Sequence, residues 1–137
     1  MLEKLSQPQH EAMLDLLVYM AKADGTVEDA ERHLVQQYAR MAGIDIAAPR
    51  SNRTLEELLS FFDSAESRVV VLQYLLRLSH SDGYFADAER SAIVEVAAIM
   101  GVPMRLIERI EEWVIEGLRW VERGEELIEE AQGVVRL

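Results

Sequence analysis

Cysteine is absent from this 137-residue chain. Its absence excludes disulfides, thiolate metal sites and cysteine nucleophiles together, and it fits a cytoplasmic location. No apolar run approaches the ~20 residues a helix needs to cross a bilayer, so the chain is not expected to be transmembrane. The opening MLEKLSQPQHEAM lacks an apolar core region and a small-residue cleavage site, so no secretory signal is expected. Positive charge is in deficit: 14 basic against 25 acidic residues leave a net charge of −11. Such a surface repels phosphate backbones and anionic lipid, which argues against nucleic acid and leaves cations and protein surfaces as natural partners. No Ser-His-Asp set, glycine-rich phosphate loop or HExxH stands in the sequence, so no enzyme is expected. No alternation of period 2 persists anywhere, and the fold class is therefore all-α.

Helix signals are abundant. Ser6 and Gln9 have capping-box spacing, and Pro8 suits a first helical turn. Leu14, Leu17, Val18 and Ala21 follow at helical spacing. A second helix restarts near Glu28, with Leu34, Val35, Tyr38 and Met41 on one face and Gly43 placed to end it. Residues 43–53, GIDIAAPRSNR, read as the one substantial loop. Thr54 with Glu57 opens a short helix through Phe61 or Phe62, and Asp63 with Glu66 opens the next. A further helix from Ala86 or Asp87 closes at Gly101, and Pro103 opens the last. In that last segment Ile107, Ile110, Val114, Leu118, Val121 and Ile128 form one stripe. Leu106, Trp113, Gly117, Trp120, Gly124 and Leu127 form a second beside it. The pattern predicts one domain over residues 1–137, with a core over 8–130 and a tail over 131–137 whose GVVRL end frays.

One phrase is written twice. ADGTVEDAER at 23–32 and SDGYFADAER at 81–90 share six of ten positions at an offset of 58. The likeness extends outward: Leu17 aligns with Leu75, Met20 with Leu78 and Gly43 with Gly101. The repeating unit is helix, D-G turn, helix, glycine stop. The expected architecture is a compact bundle of two repeated αα-hairpins and a long C-terminal helix.

The repeated D-G-x-hydrophobic-x-x-x-E has definite chemistry. The glycine tolerates positive φ, the aspartate can accept from free N–H groups of the next helix, and the glutamate stands about one turn in. Val27 and Phe85 are expected to be buried pins for the turn. The spacing equals the second half of an EF-hand loop, but the first ligand positions would be Met20 and Lys22, or Leu78 and His80. None offers a carboxylate or carbonyl side chain, which excludes a true EF-hand. Two readings of Asp24, Glu31, Asp82 and Glu89 follow. In one they cap helices or pair with Arg32 and Arg90. In the other the hairpins bring all four carboxylates together around Ca²⁺ or Mg²⁺, the cations that hard oxygen ligands favour.

With A-D-G-x-V-x-x-x-E and S-D-G-x-F-x-x-x-E in an acidic helical chain, the sequence resembles the TerB-like superfamily, named for a tellurite-resistance protein. The same domain occurs in the DjlA co-chaperones. The resemblance covers roughly residues 8–130. It implies a compact all-helical fold, metal-binding carboxylates and a role in stress-response or membrane-associated complexes, with protein partners and no firm catalytic activity. Two departures stand out. Glu28 and Ala86 replace the usual Ser or Thr before the second helix. No J domain pattern follows residue 130, so a DjlA-type co-chaperone is not expected.

Other candidates have plainer readings. His80, two residues before Asp82, reads as a partner for a helix C-terminus more readily than as a Zn²⁺ ligand. His10 and His33 read as surface groups, and Arg50 with Arg53 as a small basic spot on the loop. Trp113 and Trp120 flank Gly117. Core packing is the favoured reading, and a partner groove in which the glycine admits another helix is the alternative.

Overall fold

The computed structural model describes residues 5–23, 25, 27–47, 52–81, 83 and 85–137. The described residues form six helices and no strand: α1 (Gln7–Ala21), α2 (Asp29–Ala42), α3 (Leu55–Leu59), α4 (Ala65–Ser79), α5 (Asp87–Met100) and α6 (Met104–Val134). The all-α expectation holds there.

Helix starts follow the local code. The Ser6 N–H donates to Gln9 Oε1 at 2.9 Å, and Gln9 N–H donates back to Ser6 Oγ at 3.4 Å. Thr54 accepts from the Glu57 N–H at 3.2 Å and opens α3, but that helix stops at Leu59 rather than Phe61 or Phe62. The cap of α4 is Ser64, not Asp63. Ser64 Oγ accepts from the Ser67 N–H at 3.0 Å, and Ser67 takes the reciprocal role expected of Glu66, its Oγ accepting from the Ser64 N–H at 3.2 Å. A hydroxyl can fill either half of a capping box, so the one-residue shift costs the helix nothing. At the other ends, Gly43 (φ 70°) and Gly101 (φ 71°) turn left-handed. The next residue reaches back in each case: Ile44 N–H to Ala39 C=O and Val102 N–H to Ala97 C=O, both at 2.9 Å. That is the Schellman closure, which supplies donors to terminal carbonyls.

Helices α1 and α4 form the centre. α1 packs on α2, α3 and α4; α4 packs on α1, α2, α5 and α6. Their apolar residues extend around the helix: Met13, Leu14, Leu16, Leu17 and Met20 in α1, and Val71, Leu72, Leu75, Leu76 and Leu78 in α4, are sealed from solvent. A helix that is apolar on most sides belongs inside. Met41, expected on the inner face of α2, is exposed; the buried positions there are Glu31, Val35, Tyr38 and Ala39. Val27 and Phe85 are half-buried against the core rather than fully enclosed. Both stand where a turn meets the rim of the bundle.

Arg68 ties the second half together. Its Nε donates to the Phe62 carbonyl at 2.9 Å, and its Nη1 donates to the Met100 carbonyl at the end of α5 at 3.0 Å. A cation on a helix C-terminus complements the helix dipole. Nothing in the local sequence marks this residue.

The last helix departs most from expectation. It runs through Val134, so the tail from 131 is helical up to that residue, while residues 135–137 of the GVVRL end leave the helix. Yet only Ile107, Ile110 and Val114 of α6 are buried. From Glu116 onward nearly every residue is exposed, including both apolar stripes. The first three turns anchor on α4 and α5, and the remainder extends past the bundle.

Candidate functional site

The two acidic phrases come first. Gly25 (φ 86°) and Gly83 (φ 81°) take the left-handed conformation their turns require. Asp24 and Asp82 lie outside the described residues. Glu31 and Glu89 are each 2% exposed. Glu31 Oε1 accepts from the Glu28 N–H at 3.1 Å, and Glu89 Oε1 accepts from the Ala86 N–H at 3.2 Å. These bonds are the reciprocal half of a capping box. Ala86 has no side-chain acceptor, so the first half cannot form there. The glutamate still occupies the N–H of the N-cap residue at the positive helix end, the half of the box that needs no Ser or Thr. Among the described residues no group of three or more His, Asp or Glu side chains is arranged to hold a metal ion.

Around the second turn, the His80 ring lies 4.6 Å from the Phe85 ring, and the Arg90 guanidinium lies over that same Phe85 ring at 4.6 Å. His80 ends α4, and its Nε2 is 3.5 Å from Glu111 Oε2 on α6. It thus stands at the helix end, with its ring turned to Phe85 and Glu111. Arg53 covers the Phe61 ring at 4.6 Å, while Arg50 lies outside the described residues.

His10 is not a simple surface group. Its Nδ1 lies 2.8 Å from the buried Tyr38 hydroxyl. Burial, with the neighbouring Tyr74 phenol, holds the Tyr38 phenol well above its ordinary range, and burial lowers the His10 imidazole. Tyr38 therefore keeps its proton, and its hydroxyl shares a hydrogen bond with the Nδ1 of a neutral His10. Because His10 binds its proton more weakly folded than unfolded, protonation favours unfolding. Its penalty grows as pH falls below the ordinary value of 6.5 and is complete below the lowered folded value. The expected result is a smaller loss of Tm between pH 7.5 and 5.5 in His10→Gln than in the parent chain. Equal losses in the two proteins would remove His10 from the explanation.

The second feature is an open groove of about 1040 Å³ between α2, the end of α4 and α6. Leu34 and Arg77 line one side; Trp113, Gly117, Trp120 and Val121 line the other. The Arg77 guanidinium is itself held 5.1 Å from the Tyr74 ring. Trp113 is 43% exposed and Trp120 is 78% exposed. The favoured core reading of these tryptophans is therefore incorrect. Their spacing of seven residues continues beyond the point at which the bundle ends, so the wide apolar face whose neighbouring stripe seats α6 at Ile110 stands in solvent at Trp120. A Cβ built on Gly117 or Gly124 would meet nothing within 4 Å, so the chain's own packing does not require glycine at either position.

Family models, curated proteins and solved structures were compared with this chain, and none matches.

Proposed function

We propose that this chain is a non-catalytic helical interaction module, and that its docking surface is the groove between α2 and the projecting half of α6. One observation carries the reading: Trp120, 78% exposed, stands on the rim of that groove among other solvent-facing apolar residues. Contiguous exposed apolar surface marks interaction sites, and tryptophan is among the residues that contribute most to binding energy. A groove walled by helices suits an amphipathic helix as its ligand. The capped carboxylates then have a structural task, since each starts the helix that forms a wall of the molecule.

The matching boundaries support a duplicated design. α1 and α4 are both 15 residues long, and α2 and α5 both 14, with caps at Ser6 and Ser64 and stops at Gly43 and Gly101. On this reading the two hairpins are copies of one unit, and α6 is the element that makes the molecule asymmetric. The TerB-like resemblance adds a cytoplasmic setting in a stress-response complex, related to tellurite resistance, or in a membrane-associated one. It rests on the repeated phrase alone.

A second reading, a divalent cation held with the help of Glu31 and Glu89, is favoured by the burial of both carboxylates beside equivalent turns. Ca²⁺ or Mg²⁺ should then raise Tm more than monovalent salt of equal ionic strength, because a ligand of the folded state stabilises by mass action.

The interaction reading is tested with a photo-crosslinking amino acid in place of Trp120, irradiated in cells that produce the full chain. A discrete protein adduct is expected at 120 and not with the crosslinker at Glu108, on the exposed side of the anchored part of α6. No adduct at 120 overturns the reading.

A further inference from the structure

The apolar positions of α6 repeat every seven residues. Leu106, Trp113, Trp120, Leu127 and Val134 form one row; Ile107, Val114, Val121 and Ile128 form the next; Ile110, Gly117, Gly124 and Ala131 form the third. A strict seven-residue repeat keeps one face turned toward a companion helix over its whole length. Up to Val114 the companion is the chain's own bundle. Beyond it, Val121, Leu127 and Ile128 are 50%, 65% and 66% exposed, so the pattern continues with no companion in the chain.

Resting on the interaction reading above, we infer that the companion is α6 of a second copy, running antiparallel, with the two-fold axis passing between residues 118 and 119. Two features of the sequence and one of the structure agree with that arrangement. The first is size. Antiparallel pairing about this axis sets Gly117 opposite the partner's Trp120 and Gly124 opposite the partner's Trp113, each twice by symmetry. Every tryptophan meets a glycine. A parallel, in-register pair would set tryptophan on tryptophan and glycine on glycine, with a clash and a void in alternate layers.

The second is charge. The exposed residues that flank the seam on one side are Arg109, Glu116, Arg123 and Glu130, alternating in sign. The same axis sets Glu116 beside the partner's Arg123 and Arg109 beside the partner's Glu130, so all four symmetry-related pairs are attractive. Flanking charges of this kind choose partner and orientation in paired helices. The chain's net charge of −11 opposes self-association at long range, but that repulsion is screened over ~8 Å at physiological salt.

The third is the groove. In this arrangement the partner's helix beyond its residue 120 runs past Trp113, along the space bounded by Leu34 and Arg77. Its apolar Leu127 and Ile128 meet the wall, and its run of glutamates from 122 to 130 passes the Arg77 side. Glycine at 117 and 124 also acquires a reason. The chain alone leaves open space there, and glycine is a poor residue for a helix interior, whereas a partner's indole needs that space.

Sedimentation equilibrium of the purified full-length chain over roughly 1–500 µM should show a monomer–dimer equilibrium. Gly117→Leu should weaken the dimer at least about tenfold while leaving the monomer's Tm unchanged or higher, the opposite of a folding defect. Arg123→Glu should weaken it, and Glu116→Arg combined with Arg123→Glu should restore it, because the pair is reversed on both sides of the axis. The Trp120 photo-crosslinker should give an adduct of twice the 15.6 kDa chain mass. A chain that stays monomeric throughout, or a double reversal no better than the single, overturns the second copy as partner. A crosslinked adduct of another mass also overturns it while leaving the interaction reading intact. No adduct at all removes both.

Discussion

Replacing Leu75 by alanine is expected to remove about 3–5 kcal/mol of stability, the range for a fully buried leucine whose surroundings collapse only partly. Leu75 is 0% exposed in α4, the helix that touches α1, α2, α5 and α6. The cavity would open where most elements meet, so few neighbours are free to move into it. A domain of this kind has a total stability of ~5–15 kcal/mol, so one substitution would consume a large part of it. Urea unfolding at constant m-value measures the loss directly. A loss under about 1 kcal/mol, the range of ordinary surface changes, would show that α4 is not the centre of the core.

The second large effect should come from the repeated glutamates. Glu31→Ala and Glu89→Ala are each expected to cost about 1–3 kcal/mol, since each truncation leaves an N-cap N–H without its acceptor and also leaves a gap. Both carboxylates are 2% exposed and accept the N–H of the residue that begins their helix. Their exposed neighbours Asp29 and Asp87 sit in the same first turn and act through the helix dipole, Asp29 also through an exposed pair with Arg32 at 3.3 Å, so their alanine variants should cost ~0.3–1 kcal/mol. Glutamine retains an acceptor at the same place, so Glu89→Gln should recover much of the loss. Equilibrium unfolding of these variants separates the cases. If Glu89→Ala costs no more than Asp87→Ala, the capping explanation fails. If the alanine variants lose a Tm response to Ca²⁺ that the parent chain possesses, the cation reading gains at the expense of capping alone.

These effects show which parts of the molecule are written locally. The cap at Ser6, the left-handed stops at Gly43 and Gly101 and the restart of α2 and α5 next to Glu28 and Ala86 depend on hydrogen bonds spanning three to five residues. Such signals sit in one short window of sequence and are legible there. The misplacement of the α4 start by one residue, from Asp63 to Ser64, has the same origin: two polar residues in a row can each cap, and a neighbouring hydroxyl decided between them. Arg68 was illegible because its two acceptors, at Phe62 and Met100, are brought together only by the packing of α4 on α5. His10 was misread for the same reason, since Tyr38 lies 28 residues away.

The sequence by itself determined that the chain is helical, where most helices begin and end, and that α6 carries an apolar face over its whole length. Periodicity records that a face is apolar because it is a property of one helix. It does not record what covers that face, because burial is a relation between helices. Only the tertiary structure decided that Ile107, Ile110 and Val114 enter the core while Trp120, Leu127 and Ile128, in the same pattern, remain in solvent. The bundle is shorter than α6, and the helix continues after its support has ended.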